Sequence, residues 1–417
     1  MFDNAALYHA LNSKYPVLLF FIFDTDILDN LQDKDDKRVA FIHQALQQVD
    51  EIAQRYGSSV YVLNDRPVTA FEHLLEGFNI KEVYANHDYE PYALDRDLQI
   101  HSFLSSRNIS FRTFKDQVIF EKAEVMKADG TPYTVFTPYS KIWKQKYRSQ
   151  PPINFPSEKL LNNLVKATDS KFPTLEEIGF TEVELNVPKL TIDELLIQNY
   201  HDTRNLPGVN GTSQISVHLR FGTVSIRQLA AMAERTNEVW LNELIWREFF
   251  MMILFHFPQV VSHSFKPKYD KIRWRNNEDE FDLWCKGETG YPIVDAGMRQ
   301  LNETGWMHNR VRMVVASFLV KHLLIDWRWG EAYFAQKLLD YELASNNGNW
   351  QWASGSGCDS APYFRIFNPA EQTRKFDPQL KYTKTWIRDF HPHYLPPVVD
   401  HVFARQRALE VYKSALA

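Results

Sequence analysis

Apolar runs of strand length alternate with helix-period segments through the first 125 residues, and after about residue 193 the strand-length runs stop. This change of period confines the chain to an α/β domain followed by an all-α one. In the first part VLLFFIF (17–23), SVYVLND (59–65), IKEVYAN (80–86) and ISFRTF (109–114) read as strands. RVAFIHQALQQVDEIAQRYG (38–57), RPVTAFEHLLEGF (66–78) and PYALDRDLQIHSFLSSR (91–107) read as helices between them. Buried-type strands joined by helices predict a Rossmann-like, doubly wound parallel sheet over residues 1–125. No G-x-G-x-x-G follows any of these strands, so the dinucleotide fingerprint is missing there. Residues 126–192 are rich in proline and poor in long periodic runs, which predicts a connector. Residues 193–417 read as helical, through TVSIRQLAAMAERT (223–236), WLNELIWREFFMMILFHF (240–257), GYPIVDAGMRQLNETG (290–305) and NRVRMVVASFLVKHLLIDW (309–327).

Composition narrows the setting. The longest apolar stretch, YPVLLFFIF (15–23), is too short to span a bilayer, and no basic segment precedes it. Two cysteines, Cys285 and Cys358, support neither a disulfide framework nor a zinc site, so a cytoplasmic protein without a metal centre is expected. Residues 1–200 carry a net charge of −8 and residues 201–417 a net +3, which points an anionic partner at the second half. Eleven tryptophans are present, and the stretch SNNGNWQWASGSG (345–357) holds two of them among glycines and asparagines. It contains no lysine and does not fit a phosphate-binding P-loop.

Several motifs in the helical half carry polar chemistry, although a bland explanation covers each alone. NGTSQIS (210–216) offers hydroxyls and backbone N–H groups at a helix start, suited to an anion or to simple capping. NELIWREFF (242–250) puts Glu243 and Arg247 four apart with Trp246 between them, as in a surface ion pair or the wall of a pocket for a planar group. TGWMHNRVRM (304–313) brings His308, Asn309, Arg310, Arg312 and Met313 together without the partners of a catalytic triad. LLDYELASNNGNWQW (338–352) sets Asp340 and Glu342 just ahead of the tryptophans.

Taken in order, NGTSQIS, WLNELIWREFF, GYPIVDAGMRQLNETGWMHNRVRM, LLIDWRWGEAYF, LLDYELASNNGNWQWASGSGCDSAPYFRIFNP and KFDP closely resemble the photolyase/cryptochrome family, nearest to its class I cyclobutane pyrimidine dimer photolyases. The resemblance spans nearly all of 200–390 and, more weakly, VFTPYSKIWK (135–144) and the α/β half. It implies a reduced FAD within the helical domain and blue-light repair of pyrimidine dimers in duplex or single-stranded DNA by a monomer. A signalling photoreceptor of the cryptochrome type is the other reading. The implied cofactor contacts are Tyr200, Thr212, Ser213, Gln214, Ile215 and Ser216, then Trp240, Trp306, Arg312, Asp340, Tyr341 and Glu342, with Asn346 facing flavin N5. Trp350, Trp327 and Trp274 match the family's electron-transfer chain. Glu243, Asn309, Met313, Trp246 and Trp352 match the residues around the flipped lesion. Arg204, Arg247, Asn309, Arg310, Arg365 and Lys375 match those that meet DNA. SNNGNWQW is expected to be a loop whose glycine lets the backbone approach the flavin.

The chain also departs from the family's pattern. Gln214 stands where many relatives have arginine, and Glu342 where aspartate is common. The sequence opens on MFDNAALYHAL, matching the family's first helix, without the strand that relatives place before it; a truncated record or a misplaced start is the expectation. PYALD (91–95) lacks the Asn-Glu pair of some folate-binding relatives, so a second, light-collecting chromophore (folate or deazaflavin) stays open.

Overall fold

Helix α1 (Ala5–Leu11) shows how a short helix is pinned in place. The first N–H groups of a helix have no internal partner and need outside acceptors. Asp116 Oδ1 accepts from Ala5 N at 3.0 Å, Asn86 Oδ1 from Ala6 N at 2.9 Å, and Asn4 Oδ1 from Leu7 N at 2.9 Å. Arg227 ties this corner together, donating from Nε to Asp3 Oδ2 and from an Nη to Asp116 Oδ1, each at 2.8 Å. The computed structural model describes residues 1–166, 171–188, 190–391 and 394–417. They divide into two units, one of Met1–Glu121, Ser149–Lys189 and Phe221–Leu229, the other of Lys122–Arg148, Leu190–Arg220 and Ala230–Ala417.

In the first unit the strand-length runs become β1 (Leu19–Asp24), β2 (Val60–Asp65), β3 (Glu82–Asn86) and β4 (Ser110–Phe114). The helices between them are α2 (Lys37–Arg55), α3 (Pro67–Gly77) and α4 (Pro91–Ser105). Proline opens α3 and α4, where its missing N–H costs nothing. The α/β class stands and the ladders are parallel, but the expected single sheet is two: β1 pairs with β2 and β3 with β4, and among the described residues no ladder joins the pairs. Side chains rather than backbone bonds bring the two pairs together. Phe20 and Ile22 of β1, Val83 of β3 and Phe111 of β4 share one apolar cluster with Phe71, Leu74, Ile100 and Leu104 of the helices.

The second unit is helical. A 14-residue helix, α5 (Phe136–Ser149), lies within the span read as a connector. Its buried face is Phe136, Tyr139, Ser140, Trp143 and Tyr147, a helical spacing masked by the prolines around it. Helix α6 (Tyr200–Thr203) is a single turn. Helix α7 (Glu238–His256) is apolar on most sides, as an enclosed helix must be, and Asn237 caps it by accepting from Val239 N and Trp240 N. Trp143 Nε1 reaches across to buried Glu248 Oε1 at 2.5 Å. Helices α8 (Pro292–Thr304), α9 (Asn309–Ser317), α10 (Trp327–Lys337), α11 (Leu343–Ser354), α12 (Pro369–Phe376) and α13 (His401–Leu416) complete the parts used below. The run 309–327 is not one helix: α9 passes into a π-helical turn, Phe318–Leu323, and ends at Leu324, whose φ is +50°. Among the described residues no helix is long and apolar enough to cross a membrane.

Breaking a buried ion pair from one side strands its partner, at about 3–5 kcal/mol. Arg227→Met should therefore lower the stability of the first unit by roughly 3 kcal/mol, read as an earlier unfolding transition in denaturant. Unchanged unfolding would remove the Asp3–Arg227–Asp116 cluster as an anchor of α1.

Candidate active site

Helices α6, α7, α9 and α11 and the segment Thr212–Ser216 enclose a cavity of about 490 Å³ in the second unit. Helical period explains much of its wall. On α7, Trp240, Glu243, Arg247 and Phe250 recur at three and four residues and all face the cavity. On α11, Asn346, Asn349, Trp350 and Ala353 do the same.

The stretch SNNGNWQW is therefore a helix rather than a loop. Its glycine has a packing role. A Cβ at Gly348 would lie 2.2 Å from the Phe250 ring, so α7 and α11 meet there only because position 348 has no side chain. Gly330 on α10 makes the matching concession, since a Cβ there would lie 2.1 Å from Trp350. Gly355, with φ at +91°, ends α11 in the left-handed turn that glycine adopts most readily.

Three arginine–carboxylate pairs set the charge of the wall. Arg204 Nη1 lies 2.5 Å from Glu243 Oε1, Arg247 Nε 3.0 Å from Glu342 Oε1, and Arg312 Nη2 2.8 Å from Asp340 Oδ2. Glu243 and Arg247, expected to pair at i, i+4, each have a partner from a segment distant in sequence. Arg247, expected at the DNA, is instead nearly buried against Glu342 in this wall. Burial raises the Glu243 carboxyl above its ordinary range, and the Arg204 charge pulls it back down. Ser345 Oγ donates to the second oxygen of Glu342 at 2.5 Å. Asp340 Oδ1, Asn309 Oδ1 and Arg204 Nε are enclosed and lack a hydrogen-bond partner. Orphans of this kind are rare in folded proteins unless a ligand completes them.

Asn346 is oriented by Glu331, which lies in one of the quoted motifs but was not singled out. Its amide donates to the Glu331 carbonyl at 3.0 Å and to Glu331 Oε1 at 2.9 Å, which fixes the side chain at the cavity wall. Trp246 is likewise backed by Phe136 of α5, stacked at 3.7 Å between centroids and 4° from parallel. Phe250 and Asn349 also line the cavity unannounced; the helical spacing from Arg247 and Asn346 was the signal that could have found them.

All thirteen residues expected at the cofactor, Tyr200 through Asn346, line this one cavity. So do Glu243, Asn309, Met313, Trp246 and Trp352, together with Arg204, Arg247 and Trp350. Trp327 is buried in the same apolar core as Trp350, and half-buried Trp274 packs against that core. Arg310, Arg365 and Lys375 do not line the cavity. Arg310 is held by Asn205 at 2.6 Å and lies over the Phe376 ring, while Arg365 and Lys375 are exposed. His308 caps α9 by accepting from Arg310 N at 3.1 Å. Burial first, then Arg312, Arg310 and Arg204, push its pKa down to about 4.

Two outcomes follow from this geometry. Gly348→Ala should overpack the α7–α11 contact, lower stability by about 1–3 kcal/mol and weaken retention of any cavity ligand, measured by thermal unfolding and by absorbance of the purified protein. A histidine kept neutral by folding takes up its proton more readily when unfolded. Its stabilising share is complete above the ordinary value of 6.5 and is lost as pH falls from there towards about 4. His308→Asn retains a capping acceptor and should flatten that part of the stability–pH curve in denaturant titrations.

Comparison with known proteins accounts for this arrangement. Residues 240–392 match the family model of the FAD binding domain of DNA photolyase, and residues 1–157 match that of DNA photolyase. A deoxyribodipyrimidine photo-lyase of Synechococcus is 36% identical, the match covering 100% of this chain and 95% of that protein. The crystal structure of a class III photolyase from Agrobacterium tumefaciens superposes with a TM-score of 0.87 at 29% identity, covering 99% of this chain and 95% of the other. An archaeal photolyase from Sulfolobus tokodaii, solved with two FAD molecules, gives 0.84 at 30% identity, covering 99% and 97%. The chain belongs to the photolyase/cryptochrome family.

Proposed function

We propose that this protein is a deoxyribodipyrimidine photo-lyase, which uses blue light to split cyclobutane pyrimidine dimers in DNA. The observation that carries the reading is a single cavity lined by two sets of side chains. One set is suited to a flavin: Asp340 with an oxygen awaiting a donor, Arg312 held beside it, and Asn346 fixed at the wall by Glu331. The other is suited to an extruded pyrimidine dimer: the indoles of Trp246 and Trp352 with Glu243, Asn309 and Met313. Full-length relatives named for this activity support the same conclusion.

Arg312, Asp340 and Asn346 would hold a reduced FAD, which would supply the electron that opens the dimer ring. The protein's own part is positioning. A dimer inside a duplex is out of reach, so it must leave the stack, at a cost of a few kcal/mol that damaged pairing reduces. Stacking on an aromatic ring returns about 1–3 kcal/mol per base, and Phe136 keeps Trp246 in place for it. Glu243 hydrogen-bonds the pyrimidine, and Asn309 and Met313 flank it. Arg310, Arg365 and Lys375 take phosphates, fixing register without reading sequence. Trp350, Trp327 and Trp274 carry electrons inward from the surface when the flavin is oxidised. The assignment to the class I branch rests on the sequence motifs. A second, light-collecting chromophore, a folate or a deazaflavin, stays unassigned; the archaeal relative was solved with two FAD molecules.

Protein reduced without oxygen and mixed with an oligonucleotide carrying a thymine dimer should restore thymine absorbance only under blue light. Bound FAD without any recovery would replace this reading with a signalling photoreceptor. Glu243→Ala should lower the repair yield by tenfold or so, a loss of roughly 1.4 kcal/mol, while altering DNA affinity less. Trp274→Phe should abolish photoreduction of oxidised flavin and spare repair by pre-reduced protein; intact photoreduction would discard that electron path.

A further inference from the structure

The π-helical turn Phe318–Leu323 leads out of α9, and the C-terminal helix α13 packs against it through two histidines. His322 Nε2 and His401 Nδ1 lie 2.8 Å apart, so one ring donates and the other accepts. His322 is 1% exposed, and its ring stacks on Phe318 at 4.7 Å between centroids. Its second nitrogen, Nδ1, is enclosed and has no partner among the described residues. His401 is half-buried and opens α13. The enclosed nitrogen decides the direction of the bond. If His401 donated, neutral His322 would carry its hydrogen on Nδ1, and a buried N–H without an acceptor is the rarer and costlier orphan. His322 therefore donates from Nε2, while His401 accepts on Nδ1 and keeps its own hydrogen on Nε2. The accepting Nδ1 is then the one place where neutral His401 can take a proton. A proton there removes the acceptor, and reversing the bond would move the His322 hydrogen onto its enclosed nitrogen. A proton on His322 instead would bury a charge beside Arg407.

We propose that the His322–His401 hydrogen bond is a proton-operated latch: it holds the first turn of α13 on the π turn while both rings are neutral, and releases that turn when the pair takes up a proton. The inference is independent of the photorepair reading. The charged and titratable groups facing the pair are otherwise engaged. Arg407 donates to the His322 carbonyl at 2.5 Å, and Arg275 to Glu280 at 2.7 Å and to the Leu323 carbonyl at 3.1 Å. Tyr291 donates its hydroxyl to the Val399 carbonyl at 2.6 Å, and Lys321 its amine to that of Ser354 at 2.8 Å. Asp400 accepts from Phe403 N at 2.8 Å, which caps the helix. Burial first, then His401 and Arg407, push His322 down to about 3. Burial also lowers His401, opposed by the Asp400 charge and reinforced by Arg405. The positive end of the helix dipole acts against a cation at the same place. With both rings lowered by folding, the latch contributes fully above the ordinary value of 6.5 and fades as pH falls below it. The remainder of α13 stays in place, because the Arg407 bond does not titrate and Ala404, Ala408 and Tyr412 are fully buried. Release is confined to the turn that carries exposed Val402 and Phe403.

Amide hydrogen exchange of the full chain, read by peptide mass spectrometry and corrected for the intrinsic pH dependence, tests the latch. The reporters are the Phe403 and Ala404 amides, both bonded to Asp400. Between about pH 8 and 5 their protection should fall by roughly tenfold or more, while amides from Arg407 onward keep theirs. His401→Gln offers a carboxamide oxygen to His322 and does not titrate, so it should hold the reporters protected across that range. His401→Ala has no acceptor and should leave them weakly protected at both ends of it. Nitrogen-15 spectra of histidine-labelled protein give a second readout. At the alkaline end, the His401 signals, identified by their loss in His401→Gln, should be those of a ring protonated on Nε2. Reporter protection that does not change with pH in the parent overturns the proposal. So does a pH response that survives intact in His401→Gln, a His401 ring protonated on Nδ1 at the alkaline end, or opening of the whole of α13 together.

Discussion

Paired burial of charge is the constraint around which the helical unit is organised. Seven charged side chains line one cavity, six of them in three pairs, and an unpaired ion in such a place costs several kcal/mol. Each of the three pairs joins segments far apart in sequence: α6 to α7, α7 to the start of α11, and α9 to the turn before α11. The pairs therefore fix the helices relative to one another around the space they enclose. They also leave specific oxygens and N–H groups unsatisfied inside it, which makes the cavity a receptor for a polar, planar guest rather than an apolar void. Lys321 meets the same requirement elsewhere in the unit: its buried amine donates to the Ser354 carbonyl at the end of α11 and lies over the Tyr412 ring, 3.6 Å from the centroid.

Aromatic packing supplies what the charges cannot. Trp246 gains its orientation from Phe136, and Trp350 from Phe334 and the space left by Gly330. Flat rings held this way leave little freedom to lose when another flat ring arrives between them, so binding a flavin or an extruded base costs less ordering.

Period and punctuation made the fold largely legible. Strand and helix limits in the first unit fall within two residues of those expected from apolar spacing and from the prolines that open α3 and α4. Motif order made the cavity legible too, because residues at helical spacing in α7 and α11 must share a face. What stayed hidden depends on three-dimensional neighbours. Spacing suggested Glu243 with Arg247, and only the approach of Arg204 and Glu342 decides otherwise. Glu331 carries no local signal, since its importance lies in a hydrogen bond across fifteen residues. The prolines around α5 hid a helix, and glycine among asparagines imitated a loop where close contact with Phe250 required a smooth helical face. The division of the strands into two pairs was equally out of reach, since side-chain alternation is the same whether a neighbouring ladder is present or not.

One rigid element carries both ends of the chemistry. Asn346, Trp350 and Trp352 sit on α11, so the side chains proposed to face the flavin, to donate the first electron and to wall the lesion pocket span seven residues, or about 9 Å of helix. Adding or deleting one residue in that stretch would rotate everything beyond it by about 100° and separate the two functions. The residue count between Asn346 and Trp352 is thus as much a part of the site as the side chains themselves.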